Sequence, residues 1–233
     1  MLVVARHLPP HSPQWNGVLA LALARALLPP GAAGGVAEEL AEIGAAEILL
    51  PARAFRPAAL GTDLTMDGLR DLAIRFAAPI RLTVRQWLIT GTWTGLALLW
   101  RREAGEARLR WRAASPGVRF PPRAAIGAPA DAVLSGTGRL LATFRTGRPH
   151  HGVEEVHTET GTSWWFTRFG AVRDEGEGYR GPVGGGAVLA LVTLGPRPGP
   201  ARAVGAEGMV SGPAKRRRGT AFRRRPAVAR RPG

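Results

Sequence analysis

The sequence predicts an α+β protein with a basic tail, and three observations lead there. Up to about residue 90, apolar residues recur mostly at helical spacing; after Gly91 the pattern switches to the alternation of strands. From Lys215 to Arg231 the chain carries nine basic residues and no acid. The 233 residues suffice for one average domain or two small ones, and 45% hydrophobic against 21% charged residues is ordinary globular composition. The expected organisation is a helical domain over 1–90, a small antiparallel-sheet domain over 91–195 and a disordered tail over 196–233.

Each element has its own signal. Leu2 to Ala5 reads as a short strand, and Pro9, Pro10 and Pro13 as a rigid turn after it. Val18 to Leu28 is apolar almost all round and predicts a buried helix, ended by Pro29, Pro30 and Gly31. A second helix runs from about Val36 to Leu50, with Glu38, Glu39 and Glu42 near its positive end and Pro51 as its stop. Asp63 or Thr65 caps a third, in which Leu69, Leu72, Ala73 and Phe76 have core spacing. Pro79 separates it from a shorter helix carrying Val84, Trp87 and Leu88. TGLALLWRR and ARLRWRAA, joined by EAGE, read as a hairpin. Strict alternation would put Ala107, Leu109, Trp111 and Ala113 on one face and Arg108, Arg110 and Arg112 on the other. A Pro-rich loop leads to a helix over Arg139–Thr146, then to strands over Gly152–Thr158, Ser163–Val172 and Gly186–Leu194. The order β-β-α-β-β-β implies a small antiparallel sheet bearing one helix.

Composition closes most catalytic routes. With no cysteine there is no disulfide, zinc ribbon, iron–sulfur cluster or thiol nucleophile. Imidazole chemistry could come only from His7, His11, His150, His151 and His157. The uncharged run over residues 86–100 is too short to span a bilayer and is interrupted by Thr-Gly pairs. VLALALA begins only after three prolines and is cut by Arg25, a poor signal peptide. The expectation is therefore a cytoplasmic protein that does not engage a membrane. Of the net charge of +15, nine units fall on Lys215, Arg216, Arg217, Arg218, Arg223, Arg224, Arg225, Arg230 and Arg231. Such a segment is either a solvated end or a contact for nucleic acid through counterion release.

"LVVARHLPP", an apolar helix, "AAEILLPARAF" and "LRDLAIRFAAPIRLTVRQWL" follow one another in an order and spacing that resembles the ImmA/IrrE family of zinc metallo-endopeptidases. The resemblance covers about residues 1–100 and implies a zincin-like helical domain. The later "FRTGRP", "GVEEVH", "WWFTRF" and "GGAVLALVTL" resemble the sensor-like (GAF/PAS-like) second domain of longer members. It further implies zinc as cofactor and helix-turn-helix transcriptional repressors as partners, in stress or mobile-element responses. The chemistry itself is missing here. HExxH binds zinc because histidines at i and i+4 share a helix face, with the glutamate activating water. Leu21, Ala22 and Arg25 stand at those three positions, and Leu40 stands at the second helix's ligand position, with Glu39 one residue off. The resemblance thus implies a degenerate, non-catalytic member with no metal and no cofactor. It would act by binding a repressor or another protein.

Other motifs read as structure. His151, Glu155, His157 and Glu159 share a face of an extended strand, but one strand offers poor tetrahedral geometry and a polar face is the simpler reading. His7 and His11 read as surface residues beside a Pro-Pro turn. "GPVGGGAV" leads into a strand and lacks GK[ST], so it is a flexible loop. Ser135 and Ser163 have no Asp–His partners at recognisable spacing. Trp164, Trp165, Phe166 and Phe169 beside Arg168 could stack on bases, but alternate members must enter the core. Asp63–Trp87 could form a helix-turn-helix, yet its second helix offers only Arg81 and Arg85 as cations.

Overall fold

The computed structural model describes residues 9–29, 31, 34–121, 124–134, 137–158, 161–172 and 186–195. Helix α1 (Pro13–Ala26) starts at Ser12, whose hydroxyl accepts from the Trp15 N–H at 3.2 Å, with proline in the first turn. Helix α2 (Gly34–Leu49) runs back along it. Helix α3 (Ala52–Leu60) follows at once; the Glu47 carboxylate accepts from the Ala52 N–H at 3.0 Å. Thr65, rather than Asp63, caps α4 (Met66–Arg75), accepting from Gly68 N–H at 3.0 Å. Helix α5 (Ile80–Ile89) begins after Pro79 and is buried continuously from Leu82 to Leu88.

Strands β1 (Leu96–Glu103) and β2 (Glu106–Ala114) form the expected hairpin. Its two-residue turn, Ala104 and Gly105, has positive φ at both positions, the geometry that matches strand twist. A 3₁₀ turn (Ala130–Ala132) and α6 (Thr137–Thr146) precede β3 (His150–Thr158), β4 (Gly161–Val172) and β5 (Ala187–Gly195). The five strands form one antiparallel sheet in the order β2-β1-β5-β4-β3. The α+β class and the β-β-α-β-β-β order stand as expected.

The boundary expected near residue 91 marks a change of secondary structure within one core. Helices α1–α5 cover one face of the sheet, where Leu50, Phe55, Leu69, Val84 and Trp87 share a cluster with Leu99, Trp111 and Leu191. The loop after β2 and α6 cover the other face, around Trp100, Leu109, Leu134, Leu140 and Phe169. Met1–Pro198 forms one compact unit, so 1–90 and 91–195 are not separate bodies. Central β5 is buried on both faces from Ala187 to Val192, which explains its apolar run, AVLALV.

Two expectations change. Leu99 pairs with Trp111 but Trp100 pairs with Leu109, so Arg110 is an extra residue, a β-bulge. Ala107 and Leu109 therefore face the side covered by the loop after β2 and the 3₁₀ turn, whereas Trp111 and Ala113 face the helical layer; they do not share one face. Nor is α1 buried all round. Only Gly17, Ala20 and Ala24 are, while Leu19, Leu23 and Leu27 are exposed. Small residues let α1 sit close against α2 and Pro79, and Leu19 and Leu23 lie outside that narrow strip. The strand expected at Leu2–Ala5, His7, the loop 181–185 and the tail 196–233 lie outside the described residues.

Gly17 shows how tightly α1 is seated. A methyl added there would overlap the Pro79 ring, which is fixed to the backbone and cannot swing away. Gly17→Ala gains about 1 kcal/mol of helix propensity but forces overpacking worth roughly 1–3 kcal/mol. A net loss of about 1 kcal/mol is expected in a urea titration.

Candidate binding cleft and its buried ion network

A cleft of about 190 Å³ opens where α1, α2 and the start of α5 meet. Gly17, Val18 and Leu21 of α1, at helical spacing, form its apolar wall. Glu42 of α2 and Pro79 and Arg81 at the start of α5 form the opposite side. That volume suits one side chain or a very small ligand, well below the hundreds of Å³ of a drug-sized site.

Glu42 is the centre of the polar structure here. Its Oε1 accepts from Arg81 Nη2 at 2.6 Å and its Oε2 from Arg85 Nη2 at 2.6 Å. Trp111, delivered from β2 by the bulge, donates its indole N–H to Oε2 at 2.9 Å. The guanidinium carbons of Arg81 and Arg85 lie 5.2 and 5.7 Å from the Trp111 ring centroid, within cation–π range. The side chains of Arg85 and Glu42 are only 7% and 16% exposed, so this pair is shielded from solvent. Glu39 also accepts from Arg85, at 3.2 Å, but is 62% exposed, where water screens the contact. Gln86 donates to Glu47 and to the Leu50 carbonyl, both at 2.7 Å. Glu39, Glu42 and Glu47 of α2 and Arg81, Arg85 and Gln86 of α5 thus clip the two helices together. The clip is not fully satisfied: Arg81 Nε, Arg85 Nε and Gln86 Oε1 are buried without a hydrogen-bond partner.

Leu21 lines the cleft, Ala22 is half-buried beside it, and Arg25 turns outward. Arg25 is half-exposed and pairs with Glu38 at 2.6 Å, because Glu39 and Glu42 face α5 and are taken by Arg81 and Arg85. Leu40 is exposed and does not enter the cleft. The carboxylate that does enter is Glu42, which alignment on the zinc ligands passes over. The available signal was charge spacing: acids at i, i+3 on one helix match arginines at i, i+4 on another.

Zinc does not fit these residues. Leu21 and Ala22 have no ligand atoms, and both oxygens of Glu42 are occupied by guanidinium and indole donors. Among the described residues no group of three or more His, Asp or Glu could hold a metal. His11 and His151 are exposed; Glu159 lies outside the described residues. The cleft offers an apolar slot with one charged wall, suited to recognition, with no activated nucleophile or free base.

The remaining candidates resolve as packing. Arg112 donates to the Ala124 carbonyl and lies 4.6 Å over Phe120. Arg108 binds the Gly127 carbonyl and Glu106. Arg110 pairs with Glu103, and that hydrogen bond holds the Glu103 carboxyl below its ordinary range. The bulge breaks the expected arginine stripe, and each of its members is engaged within the chain. Trp165 and Phe169 are buried, Phe166 is exposed and Arg168 is half-buried, as core plus edge packing requires. A recognition helix must be open to DNA, and α5 is covered, so α4–α5 is not a helix-turn-helix reader. Lys215–Arg231 lie outside the described residues. Among the described residues no helix is long and apolar enough to cross a membrane.

No protein family matches this sequence, and no curated protein does. Among solved structures the chain is similar to a Mycobacterium tuberculosis transcriptional regulator, with 20% identity and a TM-score of 0.50, over 80% of this chain and 65% of that one. It is also similar in part to a light-oxygen-voltage domain studied with a flavin analogue, with 15% identity and a TM-score of 0.32, over 44% of this chain and 78% of that one. The chain thus spans about two thirds of the length of the regulator, and what the two share is a fold.

Proposed function

We propose that this chain is a cytoplasmic regulatory protein whose helical layer is a non-catalytic relative of the ImmA/IrrE metallo-endopeptidases. It holds a protein partner, such as a helix-turn-helix repressor, without cleaving it. The observation that carries this reading is the cleft itself. The residue matching the family's first histidine, Leu21, lines it, and its one carboxylate is locked by two arginines and an indole. An apolar slot and a fixed charge pair serve binding, and a zincin-like helix stripped of its ligands keeps that binding surface. The sheet with α6 on one face corresponds in this reading to the sensor-like (GAF/PAS-like) domain. The fold shared with a transcriptional regulator supports a regulatory role.

A second reading is supported by the tail alone. Nine cations between Lys215 and Arg231, with no acid among them, suit nucleic acid. Binding of that kind weakens with salt by a log–log slope of about −0.9 per phosphate neutralised on duplex DNA. Under this reading, deleting residues 213–233 flattens the salt dependence of DNA affinity and weakens binding at low salt. A slope unchanged by the deletion would move the contact to the folded part. No measurable DNA affinity in the full chain would leave protein binding as the function.

A further inference from the structure

The hairpin of α1 and α2 has an apolar face that nothing in the described chain covers. Leu19, Leu23 and Leu27 recur every four residues along α1, at 38%, 50% and 73% exposure. Val36, Leu40 and Ile48 fall on one line of α2, at 68%, 42% and 40%. Gly44 completes that line, and a Cβ added there would lie 3.1 Å from the Ala24 Cβ, so the two helices approach each other closely at small residues. The cleft and the Arg25–Glu38 pair lie on the hairpin's other side, since Leu21 and Arg25 follow a different line of α1.

We propose that this face is a homodimer interface, each copy laying its α1–α2 hairpin on that of a second copy about a two-fold axis. The proposal goes beyond the regulatory reading and does not depend on it. Charge favours a second copy on this face. Of the net charge of +15, nine units lie on Lys215–Arg231, which leaves +6 elsewhere, so self-association through the basic parts of the folded surface brings arginines together. The hairpin is the exception: α1 has one arginine, α2 has four glutamates and no base, and Arg25 is neutralised by Glu38. Nor do the glutamates oppose it. Glu39 and Glu42 are bound by Arg85 and Arg81, and Glu47 accepts from Ala52 and Gln86. Area is compatible: six aliphatic side chains at these exposures expose on the order of 500 Å² per copy, so a pair that covers both stripes fully buries about 1,000 Å², the lower bound for a specific interface. Two antiparallel hairpins stacked face to face make a four-helix layer, a packing that aliphatic stripes of this spacing satisfy.

The test is the mass of the full chain by light scattering after size exclusion, across a concentration series in high salt so that the tail's charge does not contribute. The expected mass is twice the 24.7 kDa of one chain. Leu23→Glu and, separately, Leu27→Glu should each raise the dissociation constant at least about 30-fold, as loss of a hot-spot residue does. Both residues are exposed, and unchanged melting of the isolated monomers verifies that the variants fold. Ile74→Glu, on an exposed residue of α4 away from this face, should leave the dimer intact. A monomer at every concentration would assign the face to a different partner and overturn the proposal. So would a dimer indifferent to both leucine substitutions, or one that Ile74→Glu dissociates equally.

Discussion

Replacing Glu42 by alanine is expected to cost about 3 kcal/mol of folding stability, near the lower end for breaking a buried ion pair. Arg85 would stay 93% shielded with its principal counter-charge gone, and the half-exposed Arg81 would lose its own. Glu39 keeps the cost from the top of the range, because it still reaches Arg85 from the solvent side. The loss comes mainly from stranded charge. Glu42→Met combined with Arg85→Met should therefore recover more than half of it, since apolar groups of similar size replace buried pairs with little penalty. Urea unfolding followed by circular dichroism measures both. A double variant no more stable than Glu42→Ala would show that the network acts through packing.

Trp111→Ala is expected to cost about 3–5 kcal/mol, the range for truncating a large buried aromatic. Trp111 is 5% exposed and packs in the core shared by the helices and the sheet. It also binds Glu42 and lies against both guanidinium groups. Trp111→Phe separates the two roles: it keeps most of the packing and removes the indole donor, for about 1 kcal/mol. Because Trp111 and Glu42 belong to one network, their alanine variants should combine non-additively, with a coupling of about 0.5–3 kcal/mol. Additivity within a few tenths would mean that the strand and the helical clip are independent.

What was legible in the sequence was local. Thr65, Pro79 and the EAGE turn mark element ends through backbone chemistry that the tertiary structure keeps. Helix α3 was not legible, because Pro57 reads as a breaker in its middle. A nine-residue helix tolerates one missing N–H when its first turn is capped by Glu47 from the preceding helix. The bulge at Arg110 was hidden for a different reason. Both faces of the sheet are covered, so β2 alternates buried and open positions whichever face each side chain takes. The exposure of α1 was also hidden, since an all-apolar helix does not reveal which side its neighbours cover. Of the site, Leu21 followed from the resemblance to the catalytic helix of the zinc peptidases. The Glu42–Arg81–Arg85–Trp111 group did not, because its members come from three elements that meet only in the fold.

The most direct test of the account is the zinc content of the purified full chain, measured by elemental analysis with and without prior dialysis against chelator. Leu21 and Ala22 offer no ligand atom, Arg25 points away from the cleft and Glu42 is already bound. The account predicts no stoichiometric zinc and a melting temperature unchanged by chelator. It also predicts that Leu21→His, Ala22→Glu and Arg25→His together create no peptidase, since Leu40 supplies no third ligand. Zinc near one equivalent in the unmodified chain, or chelator-sensitive cleavage of any protein substrate, would contradict it.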